Sequence, residues 1–391
     1  MHPVKLIMVT DQNNNKFYNM TPNADGATFT AEYGRVDATS QTVVKPMSKW
    51  GAVYRDKVRK GYRDVTQLYV VHEDTRAVQA TPFDGLINRL RRFAKTVVDD
   101  NYVVGNAATQ ALIDEAQAGI DRLAALAQGR RDVRAFNDAL VKLFAVLPRR
   151  MRRVGDHLAV SAGDMARVVA REQDLLDALA VTVASRPVTQ APRTVLEELG
   201  LRMSAADAEL ERLVKDMLGD ISDRYVNCWR VVNERTQARY DAHLAGQTGI
   251  HRTEQLFWHG SRNENWLSIL RNGMLVRPAG AVVTGGMFGS TGLYFANRAR
   301  KSFGYTSGHG SYWARGNSNT AFMAIFKVNT GKHHNIYKHT AACCDLTRDK
   351  LKAKGNFDSV YAHKGADLVN DEFIVYDVAQ VTIHALVELR G

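Results

Sequence analysis

The spacing of hydrophobic residues changes twice along this chain of 391 residues, and this change restricts the fold more than any other feature. Residues 1–76 alternate short β-branched and aromatic runs with turn clusters, which is typical of a small sheet. Residues 77–203 repeat apolar residues at helical spacing, and residues 204–391 contain several β-rich runs. Strands and helices that are segregated in this way predict an α+β, multidomain protein divided near residues 76 and 203.

The first segment contains turn and strand signals in close succession. The expected elements are strands at 4–9, 16–20 and 27–36, the last interrupted by Gly34, then a helix at 49–60 capped by Ser48 and ended by Gly61, and a closing strand at 68–71. The sequence therefore predicts a small β-rich module with one helix.

The second segment contains four amphipathic helices, each with its own start signal. These signals are Thr81 with Pro82, Thr109, Asp132, and Ser161 with Asp164, which resembles a capping box. One apolar stripe on each helix predicts a helical bundle. The basic run at 149–153 follows Pro148 and is expected in a loop, either solvated or in contact with nucleic acid.

The proline-containing stretch 186–192 is typical of a linker. Ser204 is predicted to cap a helix that follows, with Asp207 three residues on, and residues 226–232 are predicted to form the first strand of the last domain. The formal net charge of +11 favours a polyanionic partner, nucleic acid first, although a solvated basic surface has the same charge.

Cysteine content argues for a reducing intracellular compartment, because Cys228, Cys343 and Cys344 do not form a disulfide framework. Histidines at 333, 334 and 339 precede the last two cysteines, but their spacing fits no familiar zinc pattern, so no metal is expected. No stretch suits a signal peptide or a membrane span, so no membrane partner is expected.

Four short motifs stand out in the last segment. They are Leu-Phe-Trp-His-Gly-Ser-Arg at 256–262, Gly-Leu-Tyr-Phe-Ala at 292–296, Lys-Ser-Phe-Gly-Tyr at 301–305 and Asn-Asp-Glu-Phe-Ile-Val-Tyr at 370–376. The first is typical of a buried strand that ends in a histidine and a glycine, where a ligand can approach the backbone closely. His259 alone is equally typical of a satisfied core histidine.

In this order the four motifs resemble the catalytic domain of the poly(ADP-ribose) polymerases. The resemblance implies a mixed α/β ADP-ribosyltransferase domain with antiparallel sheets at 204–391, NAD as substrate and no metal. It also implies a role for each matching residue. Glu372, His259 and Tyr294 would be catalytic, and NAD would contact His259, Gly260, Ser261, Arg277, Tyr294, Ser302 and Tyr305.

In these roles His259 would bind the adenosine ribose, and Gly260 with Ser302 would bind the nicotinamide amide. Tyr305 and Tyr294 would flank the nicotinamide ring, and Glu372 would bind the nicotinamide ribose. The turn at 287–292 is one residue longer than is usual in the family, which bears on the acceptor side of the site.

The rest of the chain also resembles parts of DNA-dependent members of this family. Residues 1–76 resemble a WGR module, with Tyr33 in place of the signature tryptophan and DNA contacts implied for Tyr33, Arg35, Lys49, Lys57 and Lys60. Residues 77–203 resemble the helical regulatory domain, which implies that these helices obstruct the NAD site until DNA binds.

The leading interpretation is a DNA-break-stimulated poly(ADP-ribose) polymerase of DNA repair. Its partners would be damaged DNA ends or nicks and protein acceptors, including itself. It would lie in the nucleus of a eukaryote, or in the cytoplasm for a prokaryotic or viral protein. The alternatives are a mono-ADP-ribosyltransferase and a catalytically silent DNA-end-binding protein.

Overall fold

The computed structural model describes residues 2–68, 78–103, 108–129, 131–183, 193–275, 287–289, 291–308, 318–365 and 368–391. Contacts divide these residues into two compact units. The amino-terminal unit comprises residues up to 68 together with 95–183, and the carboxy-terminal unit comprises 78–94 and the residues from 193 onward.

A five-stranded antiparallel sheet forms the first part of the amino-terminal unit, in the order β4-β3-β2-β1-β5. Its elements are β1 Val4–Val9, β2 Asn15–Pro22, β3 Thr28–Arg35, β4 Gln41–Pro46, α1 Trp50–Arg59 and β5 Arg63–Asp64. Helix α1 packs on the sheet through Trp50, whose ring meets Phe29 edge-on at 5.0 Å. The indole thereby closes a core that includes Leu6 and Met20.

The predictions for this module were mostly confirmed, with three corrections. Ser48 does not cap helix α1, because it lies in a short 3-10 turn, Met47–Lys49, and the N-cap residue is Lys49. Strand β3 continues through Gly34, which pairs with Phe17 instead of interrupting the strand. Strand β4 was not anticipated, because its side chains are mostly exposed and its sequence lacks an alternating apolar row. Leu68 lies in a short 3-10 turn, and the rest of the predicted strand 68–71 falls outside the described residues.

The four predicted helices are all present. They are α2 Asp84–Asn101, α3 Gln110–Gln128, α4 Val133–Val146 and α5 Met165–Thr182, and a short strand, β6 Val78–Gln79, precedes them. Thr109 and Asp132 cap α3 and α4 with their side chains, as predicted. Helix α2 begins at Asp84 and not at Pro82, and the Thr81 hydroxyl donates to the Asp84 carboxylate there.

One residue of the basic run contradicts the expectation of an exposed loop. Arg149 is buried, and its guanidinium forms an ion pair of 2.5 Å with Glu172 of α5. It also lies over the rings of Tyr102 and Phe144, at 5.2 and 5.8 Å. Arginine tolerates this environment because its guanidinium is weakly hydrated and stacks well on aromatic faces.

Two sheets form most of the carboxy-terminal unit. The elements are β7 Arg193–Thr194, α6 Val195–Leu199, β8 Leu201–Ala205, α7 Ala208–Leu218, β9 Tyr225–Asn233, α8 Glu234–Ala245, β10 Glu254–Gly260, α9 Trp266–Asn272, β11 Leu293–Phe295, α10 Ala299–Phe303, β12 Thr320–Asn329, β13 His333–Ile336, α11 Arg348–Gly355, β14 Ser359–Ala362, β15 Glu372–Val375 and β16 Val381–Arg390. One sheet has the order β10-β12-β16-β9-β8 and the other β11-β15-β14-β13.

Hydrogen bonds between Trp258 and Ala296 connect β10 to the residue after β11, so the two sheets meet where the first two motifs end. Strand β9 confirms the prediction at 226–232. The predicted cap of α7 was wrong. Ser204 belongs to β8, and Asp207 is the capping residue, accepting from the Leu210 amide at 2.8 Å.

No helix among the described residues is long and apolar enough to cross a membrane.

Candidate active site

Strand β10 brings His259 and Gly260 to the junction of the two sheets. Its apolar residues Phe257 and Trp258 are buried on opposite sides of the strand, which fixes the register of the two residues that follow. His259 is half-buried and surrounded by the rings of Trp266, Phe295 and Phe326, at 5.9 to 6.4 Å.

The hydrogen bonding of His259 defines what its ring offers to a ligand. Its Nδ1 lies 3.0 Å from the carbonyl oxygen of Tyr294, and because a carbonyl only accepts, Nδ1 must carry the hydrogen. Burial lowers the pKa of His259, which favours the neutral ring. Nε2 is then an acceptor, suited to a ligand hydroxyl.

Gly260 lies in direct backbone contact with α10. A Cβ atom at this position would lie 1.8 Å from the carbonyl oxygen of Ser302, so a side chain cannot be placed there without moving the helix. Ser302 itself is buried. The structure therefore brings together the two residues that were predicted to bind one amide group.

Glu372 forms a buried ion pair with Lys301, which the sequence analysis did not single out. Their charged atoms are 2.6 Å apart, and their side chains are 10% and 11% exposed. The ammonium also lies 3.4 Å from the carbonyl oxygens of Asn370 and Asp371. Burial lowers the pKa of Lys301, while the carboxylate of Glu372 opposes that shift.

Two tyrosines lie within electrostatic range of this carboxylate. Burial, and to a lesser degree the charge of Glu372, raises the pKa of both Tyr294 and Tyr305. The Tyr294 hydroxyl accepts from the Phe288 amide and donates to the Gly289 carbonyl, so its ring is fixed by main-chain groups. Tyr305 is 46% exposed and presents its ring to solvent, as a stacking surface for a ligand would.

Two predicted site residues remain, Ser261 and Arg277, and the structure describes the first of them. Ser261 accepts from the side-chain amide of Asn265 at 3.0 Å. Arg277 lies outside the described residues. Lys301 was missed although it begins the motif at 301–305, because nothing in the sequence shows that its side chain reaches Glu372.

The predicted DNA contacts all lie in the amino-terminal unit. Tyr33 stacks on Tyr18 with centroids 5.5 Å apart, and the ammonium of Lys57 lies 4.1 Å from the centre of the same Tyr18 ring. Arg35 donates to the Asn13 and Arg152 carbonyls.

The other two predicted contacts are exposed. Lys60 forms an ion pair with Asp56, and Lys49 precedes α1. Tyr33, Lys57, Arg35 and Lys60 therefore all have protein partners, and of the five predicted residues Lys49 and Lys60 are the exposed ones.

The described part of the chain contains histidine, cysteine, aspartate and glutamate residues, the usual protein ligands of metals. No group of three or more histidine, cysteine, aspartate or glutamate side chains is arranged there to hold an ion. The site combines an imidazole whose pKa is lowered, a glycine backbone packed against α10, and a carboxylate beside a lysine. Such an arrangement suits a displacement at a sugar carbon, where positive charge develops in the transition state.

Comparison with known proteins supports this assignment. The family described as "Poly(ADP-ribose) polymerase catalytic domain" matches residues 208–391. Uncharacterized protein 101L of Invertebrate iridescent virus 6 is 32% identical over 178 residues, covering 45% of this chain and 75% of the viral protein.

Poly [ADP-ribose] polymerases of animals are also similar. Poly [ADP-ribose] polymerase 1 of Xenopus laevis is 28% identical over 219 residues, covering 49% of this chain. The Drosophila melanogaster polymerase is 32% identical over 152 residues, covering 35% of the chain. The matches span only 21% and 15% of those two longer proteins.

The fold and the site define an NAD-dependent ADP-ribosyltransferase domain. The chain belongs, through residues 208–391, to the poly(ADP-ribose) polymerase family.

Proposed function

We propose that this protein is a DNA-break-stimulated poly(ADP-ribose) polymerase that transfers ADP-ribose from NAD to protein acceptors, itself included, and elongates the chains. The ion pair between Lys301 and Glu372, adjoining Tyr294 and Tyr305, is the observation that supports the proposal most directly. It would supply the carboxylate to which the family resemblance assigns the nicotinamide ribose.

The reaction breaks the bond between the nicotinamide nitrogen and ribose C1′, and the leaving nicotinamide takes the electron pair. A new bond forms between C1′ and an acceptor oxygen, whose proton passes to the carboxylate of Glu372. Because the transition state resembles an oxocarbenium ion, the same carboxylate stabilises it electrostatically. Lys301 holds the carboxylate in place through a 2.6 Å contact.

Elongation of the ADP-ribose chain uses the same carboxylate of Glu372. A carboxylate that can accept a proton from an incoming ribose hydroxyl makes the growing chain an acceptor. A mono-ADP-ribosyltransferase would release nicotinamide but give products of one unit, and a silent DNA-end-binding protein would release none.

Stimulation by DNA is proposed from the amino-terminal unit. Around α1, the side chains of Lys49, Arg55, Arg59 and Lys60 are all exposed, which suits contact with phosphates. The proposed enzyme acts where broken DNA occurs, in the nucleus of a eukaryote or in the cytoplasm otherwise.

Control of the site is proposed to involve the first half of α2. Arg89 forms two hydrogen bonds with the buried carboxylate of Glu388, at 2.6 and 2.9 Å, and lies over the Phe322 ring at 5.6 Å. The Phe322 carbonyl accepts from the Trp266 indole, which borders His259. These contacts give helix α2 a continuous packed connection to the NAD site, as a two-state control would require.

Nicotinamide release and product length, measured with and without nicked DNA, test the proposal. We expect long polymer and a strong dependence on DNA. Products of one unit would show a mono-ADP-ribosyltransferase, and an equal rate without DNA would contradict stimulation. Arg89→Gln should raise the DNA-independent rate, whereas Lys95→Gln, an exposed residue whose ion pair with Asp99 lies within the same helix, serves as the control.

DNA binding itself is tested by its dependence on salt. Replacing Lys49 and Lys60 by glutamine should lower the slope of log affinity against log salt by about 2, since each phosphate contact contributes roughly 0.9. Lys350→Gln, at an exposed position of the carboxy-terminal unit, should leave the slope unchanged. A salt-independent affinity in the unmodified protein would rule out phosphate contact.

A further inference from the structure

A row of stacked aromatic rings leads from the strand of Glu372 to the surface of the carboxy-terminal unit. Phe373, the residue after Glu372, stacks on Tyr361 at 4.4 Å between centroids. Tyr361 stacks on His363 at 3.8 Å, and His363 stacks on Tyr337 at 4.2 Å with the planes only 13° apart. Tyr337 ends the row and is 68% exposed.

Hydrogen bonds fix this row in place. The Tyr361 hydroxyl donates to Asp371 at 3.1 Å, and His363 lies 2.9 Å from the side-chain oxygen of Asn335. The rings under Tyr337 are therefore held parallel before any ligand arrives. A planar ligand that added one more ring would find a preorganised surface, which lowers the entropy cost of binding.

The terminal ring also borders a pocket at the open edge of β13. The pocket has a volume of about 230 Å³, and Tyr337, Lys338, Lys354 and Thr340 contribute to its walls. Its described walls contain two lysines and no carboxylate, and neither lysine forms an ion pair within the described part of the chain. The volume is smaller than the ~300–1,000 Å³ of most drug-sized ligand sites and therefore suits one part of a nucleotide.

We propose that this pocket binds the adenine nucleotide part of an ADP-ribose unit already transferred to product. The base stacks on Tyr337, and the pyrophosphate lies against Lys338 and Lys354. Stacking binds any base, and the lysines select a ligand with phosphate. This proposal rests on the proposed function for the source of the ligand, since ADP-ribose chains are made at Glu372, one residue from the ring that begins the row.

Calorimetric titration of the full chain with ADP tests the pocket. We expect two classes of site, the NAD cleft and the pocket. Tyr337→Ala should weaken one class about tenfold, consistent with the loss of one stacked base. Tyr337→Phe is the matched control and should retain the affinity within about twofold, because the stacking face is kept. Hydrogen exchange of β13 and β14 establishes that both variants are folded.

Two further probes define what the pocket recognises. Ribose 5-phosphate, which lacks a base, should bind the pocket at least tenfold more weakly than ADP. The double variant of Lys338→Gln and Lys354→Gln should remove most of the salt dependence of ADP binding at this site. Unchanged ADP affinity in Tyr337→Ala, or equal binding of ADP and ribose 5-phosphate, would overturn the proposal.

The source of the ligand is tested by competition between ADP-ribose oligomers and single-stranded DNA. Displacement of ADP from the Tyr337 site by the oligomers supports the proposal, whereas displacement by DNA alone overturns it. The His259→Ala variant separates the pocket proposal from the proposed function, because it should remove ADP binding in the NAD cleft and leave ADP binding in the Tyr337 pocket. Absent nicotinamide release with an intact Tyr337-dependent site would refute the proposed function alone.

Discussion

Two buried ion pairs, one in each unit, use the same chemistry for different purposes. The pair of Arg149 and Glu172 is enclosed, with side chains 1% and 3% exposed and aromatic rings around the guanidinium. The pair of Lys301 and Glu372 is slightly more exposed and lies beside tyrosines, one of which faces solvent. The enclosed first pair can contribute only to stability and conformational specificity, whereas we propose that the second pair acts on a substrate.

This difference teaches that burial alone does not identify a functional charge. Burial raises the pKa of Glu172 and lowers that of Lys301, so both pairs are perturbed by desolvation. The half-exposed Tyr305, together with the fixed His259 and Gly260, is what distinguishes the candidate site. The following variants test whether the two ion pairs differ in this way, by measuring stability in one unit and turnover or NAD binding in the other.

Arg149→Met should have the largest effect, destabilising the amino-terminal unit by about 3–5 kcal/mol, because it leaves Glu172 buried without a partner. Hydrogen exchange of peptides from α5 measures the loss. Combining it with Glu172→Leu should recover most of the stability, and Arg122→Met, at an exposed site on α3, is the control. A change below about 1 kcal/mol, the range of surface pairs, would make this pair equivalent to an exposed one.

Glu372→Gln should lower nicotinamide release by about 10²–10³-fold, corresponding to ~3–4 kcal/mol of transition-state stabilisation. NAD should still bind, and the glutamine oxygen can still accept from the Lys301 ammonium. The urea midpoint measures the stability lost because the lysine charge is left unpaired, and turnover is compared at a urea-free condition where the variant is folded. The exposed Asp345→Asn in the same unit is the control. Long polymer made by the purified Glu372→Gln variant would show that this pair has no catalytic role.

Acid should weaken the amino-terminal unit through His157. Burial, followed by the charges of Arg171 and Arg149, lowers the pKa of His157 to about 4. The unfolded chain binds a proton below about pH 6.5, its ordinary value, so stability is complete above that pH and falls as the pH drops toward 4. Allowing for partial solvent exposure, we expect a loss of about 1–2 kcal/mol.

Hydrogen exchange at pH 6.5 and 4.5 measures how much stability the amino-terminal unit loses as the pH falls. The variant His157→Asn should lose less stability over this range. An identical loss in the variant would mean that other groups dominate.

Tyr305→Ala should have the smallest effect, weakening NAD binding by about 0.5–1.5 kcal/mol, because one stacking face is lost. Calorimetry with NAD measures the change, and Tyr305→Phe should behave like the unmodified chain. Equal affinity in all three proteins would show that the exposed ring does not contact the substrate.

The sequence predicted elements whose signals are local. The caps at Thr109 and Asp132 were correct because a capping side chain reaches only two or three residues along the chain. Strand β4 and helix α8 were missed. The first is mostly exposed, and α8 follows β9 directly, with Asn233 as both the last strand residue and the cap.

In the candidate site, too, only the features with a local sequence signal could be predicted. The motifs identified His259, Gly260, Ser302 and Glu372 because each lies in a recognisable short pattern. The partner of Glu372 could not be found in this way, since the contact with Lys301 depends on where α10 and β15 meet. The burial of Arg149 was misjudged for a related reason, because its partner Glu172 lies on α5, far from Arg149 in the sequence.

The contact between Gly260 and Ser302 also matters for inhibitors and for escape from them. A residue with a side chain at 260 would force β10 and α10 apart, so a variant there disturbs the fold along with any bound compound. A compound that hydrogen-bonds the main-chain groups at this position contacts atoms that an amino-acid substitution does not replace. Resistance would have to arise elsewhere, at side chains such as Tyr305, which is half-exposed.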